Sequence, residues 1–194
     1  MSRTLFAFAA ALLLTLSAAA QDVWQLDPAH TAAQFSVRHL AVSTVRGAFT
    51  KLNGSVLYDP ANPGKSAIQV TIDATSVDTR VEKRDNDLRS PNFLDAQKYP
   101  TITFQSKKVE AAGEGKLKVT GDLTIRSVTK EVVLDVDGPT PAIKDPMGPG
   151  RLRMGASATT KINRQDFGVS GLPAVVGDEI TITLDVEMTK PAAK

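Results

Sequence analysis

Apolar and polar residues alternate with a period of two in segment after segment between Gln34 and Met188, the spacing of strands that bury one face. Phe35, Val37 and His39 alternate with Gln34, Ser36 and Arg38, and VRGAFTKLNGSVLYD (45–59) follows. In AIQVTID, Ile68, Val70 and Ile72 share a face opposite Gln69, Thr71 and Asp73. TITFQSKKV starts at Thr101, and KLKVTGDLTI sets Leu117, Val119, Leu123 and Ile125 against Lys118, Thr120, Asp122 and Thr124. EVVLDV, RLRMGASATTKI and EITITLDVEM complete a set that predicts eight strands and an all-β fold. Alternation alone leaves a sandwich and a closed barrel both open. Several runs reach ten residues or more, which favours an eight-stranded antiparallel up-and-down barrel with no exposed edge.

In such a barrel successive connections alternate between the two mouths. One mouth receives DPANPGKS, EAAGEGK and DGPTPAIKDPMGPG, rich in glycine and proline as ordinary turns require. The other receives AVSTV, the long segment from Asp78 to Pro100, RSVTK and NRQDFGVSGLPAVVGD. All the chemically elaborate connections therefore gather at one end.

The long segment predicts a short lid of one or two helices over residues 79–98, with Asp78 or Thr79 as a cap and Ser90-Pro91 able to end one helix and start another. From Asp78 through Pro100 there are five basic and five acidic residues, Asp78 included, spaced for pairs such as Arg84 with Asp87 and Asp85 with Arg89. Its few apolar groups, Val81, Leu88, Phe93 and Leu94, would face down across the mouth. Arg46, Arg80, Arg84, Arg89, Arg126, Lys130 and Arg164 map to this mouth by loop order. So do Asp78, Glu82, Asp85, Asp87, Asp95, Glu131, Asp166 and Asp178, giving most of these cations a carboxylate partner.

The ends of the chain decide which residues belong to the fold. Arg3, an apolar run from Leu5 to Leu16 and the small residues Ala18-Ala19-Ala20 have the layout of a secretory signal peptide over residues 1–20. The apolar run is short of the ~20 residues that span a bilayer. Export to the periplasm is expected, with a single domain over residues 21–194. The 23 basic and 21 acidic residues give a net charge of +2, and removal of the leader takes Arg3 alone. Such a balance recruits neither nucleic acid nor an anionic membrane through net charge. With 5% aromatic residues and charges along the polar faces, stable insertion as an outer-membrane barrel is not expected. No cysteine is present, which excludes disulfides, thiolate metal sites and a cysteine nucleophile.

Candidate chemistry is sparse. His30 and His39 are the only histidines and have no evident ligand partners, so no metal site is predicted. GVSG at 168–171 lacks one residue of a Gly-x-Ser-x-Gly elbow, and Asp85-Asn86-Asp87 lacks the glycine and distal glutamate of a calcium loop. No catalytic residue or cofactor is assigned, and binding is expected in place of catalysis.

DPAHTAAQFSVRHLAVSTVRGAF, IDATSVDTRVEKRDNDLRSPNFLDAQKYPTITFQS, GDLTIRSVTKEVVLDV and INRQDFGV…GDEITITLDVE together resemble the YceI-like family, a lipocalin-like polyisoprenoid-binding domain. The resemblance covers nearly the whole chain after the leader. It implies an eight-stranded lipocalin-like barrel, periplasmic location, frequent homodimers and an apolar tunnel for a long isoprenoid or similar lipid. The family pattern has histidine at Asp87, glycine at Ser127 and serine at Thr31, so no histidine role is expected of the lid. Phe35, Val37, Phe49, Val70, Ile72, Phe104, Leu123, Ile125 and Ile182 are the expected tunnel lining. Arg46, Arg84, Arg89, Arg126, Arg164 and Phe167 are the expected mouth and head-group residues. The competing expectation is a solid barrel without ligand, serving as a stress-response or interaction module.

Overall fold

The computed structural model describes residues 23–192, so the expected leader and its cleavage site lie outside the described residues. Among these, twelve strands share one antiparallel sheet. They are β1 (Val23–Leu26), β2 (Ala32–His39), β3 (Ser43–Phe49), β4 (Leu52–Leu57), β5 (Ala67–Asp73) and β6 (Val77–Asp78). β7 (Thr101–Ala111), β8 (Lys116–Ile125), β9 (Val128–Asp137), β10 (Ile143–Lys144), β11 (Arg151–Asn163) and β12 (Val176–Pro191) complete it.

The sheet closes because β12 pairs with β11 along one edge and with both β1 and β2 along the other. β1 and β2 thus form one interrupted stave, and β3 and β4 form the next. Counted this way the wall has eight staves in chain order, the expected up-and-down barrel. The segment read as one strand from 45 to 59 is broken at Thr50-Lys51. There Thr50 N–H donates to Ser76 O (3.2 Å) and Lys51 N–H to Ser76 Oγ (3.1 Å), leaving the neighbouring stave. The partner stave breaks at the same level. Asp27 O accepts His30 N–H at 3.1 Å and its carboxylate accepts Ala29 N–H at 3.1 Å. The two breaks free the edge of β3, which pairs with the two-residue β6. β1, β6 and β10 are too short to show a period in the sequence.

The lid has one helix, α1 (Glu82–Arg89), where two were allowed for. Neither expected cap forms. Val81 is the cap residue without a side-chain bond, and the buried Asp85 reaches back to accept from Thr79 N (2.8 Å) and Thr79 Oγ1. After Ser90 the chain turns through residues 91–98 without becoming helical, held by Leu94 N–H to Leu88 O and Ala96 N–H to Arg89 O, both 2.9 Å. No described helix is long and apolar enough to cross a membrane.

Two apolar clusters fill the ends of the barrel. Trp24, Leu26, Met154 and Met188 anchor one at the end bearing the simple turns. Phe93, Ala96, Phe167 and Val169 pack on Ile102, Leu123 and Ile125 at the lid end.

Candidate functional site

Between these clusters lies an internal cavity of about 210 Å3. Alternation builds it, since each strand turns one row of side chains inward. Eight of the nine expected lining residues, Phe35, Phe49, Val70, Ile72, Phe104, Leu123, Ile125 and Ile182, stand on its wall. Val37 does not; it pairs with Val45 and Ile180 on the stretch of β2 nearer the lid-end turn. Glycine makes room for two aromatic rings. A Cβ at Gly47 would stand 2.5 Å from the Phe35 ring, and one at Gly121 would stand 2.6 Å from the Phe104 ring. Phe35 and Phe49 meet with ring centroids 5.8 Å apart.

The wall carries no Asp, Glu, Lys, Arg or His; its polar residues are hydroxyl-bearing or amide, among them Thr31, Gln34, Tyr58, Ser66 and Thr160. An apolar cavity of ~150 Å3 stays dry and takes up a small hydrocarbon. At about 210 Å3 this one exceeds that size while staying below the ~300 Å3 where pockets for compact drug-sized ligands begin. Its lining runs the length of the barrel, from Ile102 and Ile125 near the lid to Val136 and Pro139 at the other end, an elongated course that suits a chain.

Lining residues extend toward the simple-turn end, to Tyr58, Ser66, Leu117, Val136 and Pro139. The lid end is packed shut. Phe93 and Phe167 are 4% and 2% exposed and neither lines the cavity. Phe167, expected at the mouth, is part of this plug.

Four of the five expected head-group arginines, Arg84, Arg89, Arg126 and Arg164, act as clasps. Arg164, 4% exposed, donates through Nε to Gly177 O (3.0 Å), through Nη1 to Val169 O (2.7 Å) and Gly171 O (2.9 Å), and through Nη2 to Val176 O (2.9 Å). Asp178 lies 3.1 Å from it. Arg126 joins the lid to the β11–β12 loop through Phe93 O (3.3 Å) and Gly168 O (2.6 Å), with Asp95 at 3.9 Å. Arg84 binds Thr79 Oγ1 and O, and Arg89 binds Thr75 O, Val77 O and Asn86 Oδ1. Arg46 is exposed beside Ser36 on the outer face of β3. The carboxylate partners expected from charge counting are mostly replaced by main-chain carbonyls, because the turns of a lid leave many acceptors unpaired. Arg126→Ala, which cuts the tie between lid and loop, is expected to raise amide exchange in residues 91–98 and speed ligand release several-fold, with exchange in β7 and β8 unchanged.

A second polar group was not foreseen. Outside the barrel, at the β1–β2 break, Arg153 donates to Asp27 Oδ2 (2.8 Å), to Asp145 Oδ2 (3.0 Å) and to Glu187 Oε2, and His30 Nδ1 lies 2.9 Å from Asp27 Oδ2. Asp27, His30 and Glu187 offer ligand atoms within 4.8 Å of one another, but the Arg153 guanidinium already supplies the positive charge to both carboxylates. The only sequence signal was the Asp27-x-x-His30 spacing; Arg153 and Glu187 come from remote strands. The hydrogen bond with His30, then that from Arg153, holds the Asp27 carboxyl down at about 2 against an ordinary 3.8. The Asp27 contribution to stability is therefore complete above about pH 4 and lost as pH falls through about 2. Thermal midpoints measured from pH 5 to 2 should fall, and the double variant His30→Ala/Arg153→Met should show a flatter profile over that window.

Residues 24–188 match the YceI-like domain family. A UPF0312 protein of Vibrio cholerae serotype O1 is 38% identical over 177 residues, covering 90% of this chain and 92% of its own. The crystal structure of the Campylobacter jejuni YceI protein superposes with a TM-score of 0.68 at 35% identity, over 79% of this chain and 89% of that one. A polyisoprenoid binding domain from Saccharophagus degradans shares the fold with a TM-score of 0.61 at 16% identity, over 87% of this chain and 98% of that one.

Proposed function

This chain belongs to the YceI-like domain family, and from that membership and the apolar cavity of the barrel we propose that it is an exported binding protein holding one slender lipid chain, such as a polyisoprenoid, inside the barrel. The observation that carries the reading is a cavity of about 210 Å3 whose wall has no Asp, Glu, Lys, Arg or His. The wall offers hydroxyl and amide groups but no carboxylate or imidazole to serve as a general base, which fits carriage better than catalysis. The fold shared with a polyisoprenoid binding domain supports the same class of cargo. Transport, storage or sequestration in the periplasm is the proposed setting. Intact-mass analysis of exported protein should give a chain beginning at or near Gln21, and retained Met1 would remove that setting.

The arginine geometry refines the choice of head group. An anion is drawn by donors not already engaged, and the Arg164, Arg126, Arg84 and Arg89 guanidiniums are spent on carbonyls and hydroxyls. Affinity then comes from the tail at about 25 cal/mol per Å2 of apolar surface buried. The test is a titration of matched prenyl alcohol and prenyl phosphate at low and high ionic strength. It can be followed by fluorescence of Trp24, the only tryptophan, which packs with the lining residues Leu26 and Val56. The two should bind within about tenfold with little effect of salt. A preference for phosphate above roughly a hundredfold, about 2.7 kcal/mol, that collapses in salt would refute the neutral-head reading.

A further inference from the structure

The seam between β9 and β11 is zipped along only part of its length. Its ladder runs from Asp137↔Ser157 to Asp135↔Thr159 and stops there, although β9 extends to Val128 and β11 to Asn163 toward the lid end. The other edges of the same two strands are paired throughout, β9 with β8 as far as Val128 and β11 with β12 as far as Asn163. The wall therefore has a slot beside residues 128–134, about 20 Å long at the rise of a strand. Arg126, in the β8–β9 turn, closes the far end of the slot by donating through Nη1 to Gly168 O at 2.6 Å, on the loop that follows β11.

The side chains along the slot leave it uncrossed. Glu131 and Lys161 carry opposite charges on the two facing edges, yet Glu131 pairs with Lys107 at 3.4 Å and Lys161 with Glu179 at 2.8 Å, each on its own side of the slot. Between them on the outer face Val133 is 40% exposed. On the inner face Val132 and Leu134 from one edge and Thr160 from the other line the cavity. Lys130 shows that the wall is open. It stands directly opposite Leu123 in the β8–β9 ladder, and residues opposite one another share a face, so it belongs to the inward row. Leu123 is buried there at 8%, whereas Lys130 is exposed and no described residue pairs with its ammonium. With the lid end packed shut, an inward-row lysine reaches water through the wall, its stem laid along apolar surface.

We propose that this slot is a side entrance through which the apolar tail of the cargo enters and leaves the barrel, with the bond from Arg126 to Gly168 as its latch. Its purpose rests on the lipid-binding reading. The route through the lid would have to unpack Phe93 and Phe167 and strip Arg164 from four carbonyls. Parting the slot breaks no strand ladder, and a tail passing between Val132, Leu134 and Thr160 exchanges one apolar contact for another. An entrance leaves the free and loaded states as they are, so closing it slows uptake and release by the same factor at constant Kd. A wall strand with a purely structural role gives no such signature.

Val133→Cys/Lys161→Cys places two thiols on facing positions just beyond the last ladder pair, in a chain with no other cysteine. They are to be bridged with a short bismaleimide and the bridge confirmed by intact mass. Bridged protein should take up and release prenyl alcohol, followed by Trp24, roughly tenfold more slowly than the unbridged variant, with unchanged affinity. The same bridge on Lys118→Cys/Asp135→Cys, across the fully paired β8–β9 seam, should leave both rates as they were. Arg126→Ala should speed uptake and release alike, and the slot bridge should cancel that gain. Rates unchanged by the slot bridge overturn the entrance while the lipid-binding reading stands. A bridge that weakens affinity without slowing both rates alike also overturns it, by making the slot part of the binding volume. Uptake by no form of the protein removes the lipid-binding reading, and the entrance with it. Amide exchange of the ligand-free protein is the second measurement. Slot-facing amides of residues 128–134 should exchange faster than those of residues 135–137, and equal protection along β9 would show a closed seam and overturn the slot whatever the bridge does.

Discussion

Ile72→Trp is expected to cut ligand affinity roughly fiftyfold while leaving the ligand-free protein folded. Ile72 lines the cavity, paired across the sheet with Leu52 and Ile102. A larger side chain there has about 210 Å3 of empty volume in front of it. It would displace about three methylenes of bound chain at ~0.8 kcal/mol each, or about 2.4 kcal/mol. A filled core responds in the opposite way. Overpacking would cost roughly 1–3 kcal/mol of stability, and there would be no uptake to lose. Thermal midpoint and prenyl alcohol affinity measured on one preparation separate the two. A destabilised variant with no change in uptake would show that the chain does not occupy this part of the barrel.

The largest loss of stability is expected from Arg164→Met. The side chain is 4% exposed, and its departure would leave the carbonyls of Val169, Gly171, Val176 and Gly177 without their donor. Buried acceptors stripped of partners cost about 1–3 kcal/mol each, and breaking a buried charged cluster typically costs about 3–5 kcal/mol. A loss of that size is a large share of the ~5–15 kcal/mol that holds a domain together. It should lower the thermal midpoint by roughly 10 °C. Lysine is expected to rescue little, since one ammonium cannot reproduce a fork spread over four carbonyls. Lys161→Ala is the control. It removes an ion pair with Glu179 at 2.8 Å in which both side chains are 64% exposed, and should change stability by less than about 0.5 kcal/mol. Equal effects of the two substitutions would contradict the clasp.

Both predictions rest on residues of known position in the sequence, yet only the first was legible there. Strict alternation in β5, β8 and β12 identifies Ile72, Leu123 and Ile182 as inward, because one buried face forces one parity. The sorting of loops by order around the barrel likewise brings the lid and the β11–β12 loop together, as the Arg126 bonds show. Val109 escaped because a register shift between Ser106 and Lys108 reverses the phase of β7, and no residue pattern announces it. Ala156 and Ala158 line the cavity from β11 but are too small to stand out as core. Arg164 looked like a solvent-facing cation suited to a head group. Its role depends on carbonyls presented by a turn, and main-chain acceptors leave no mark in the sequence. The Asp27–Arg153–Glu187 cluster was hidden for a related reason, since its members meet only once the barrel has closed.

The central claim is that the barrel holds an apolar chain. Native mass spectrometry of the exported protein, followed by organic extraction and identification of what is released, tests it most directly. The account predicts one molecule per barrel, with a long apolar tail and an uncharged head, absent or greatly reduced in Ile72→Trp. Protein that is empty on purification and cannot be loaded with prenyl alcohol would contradict it and leave the solid, ligand-free barrel in its place.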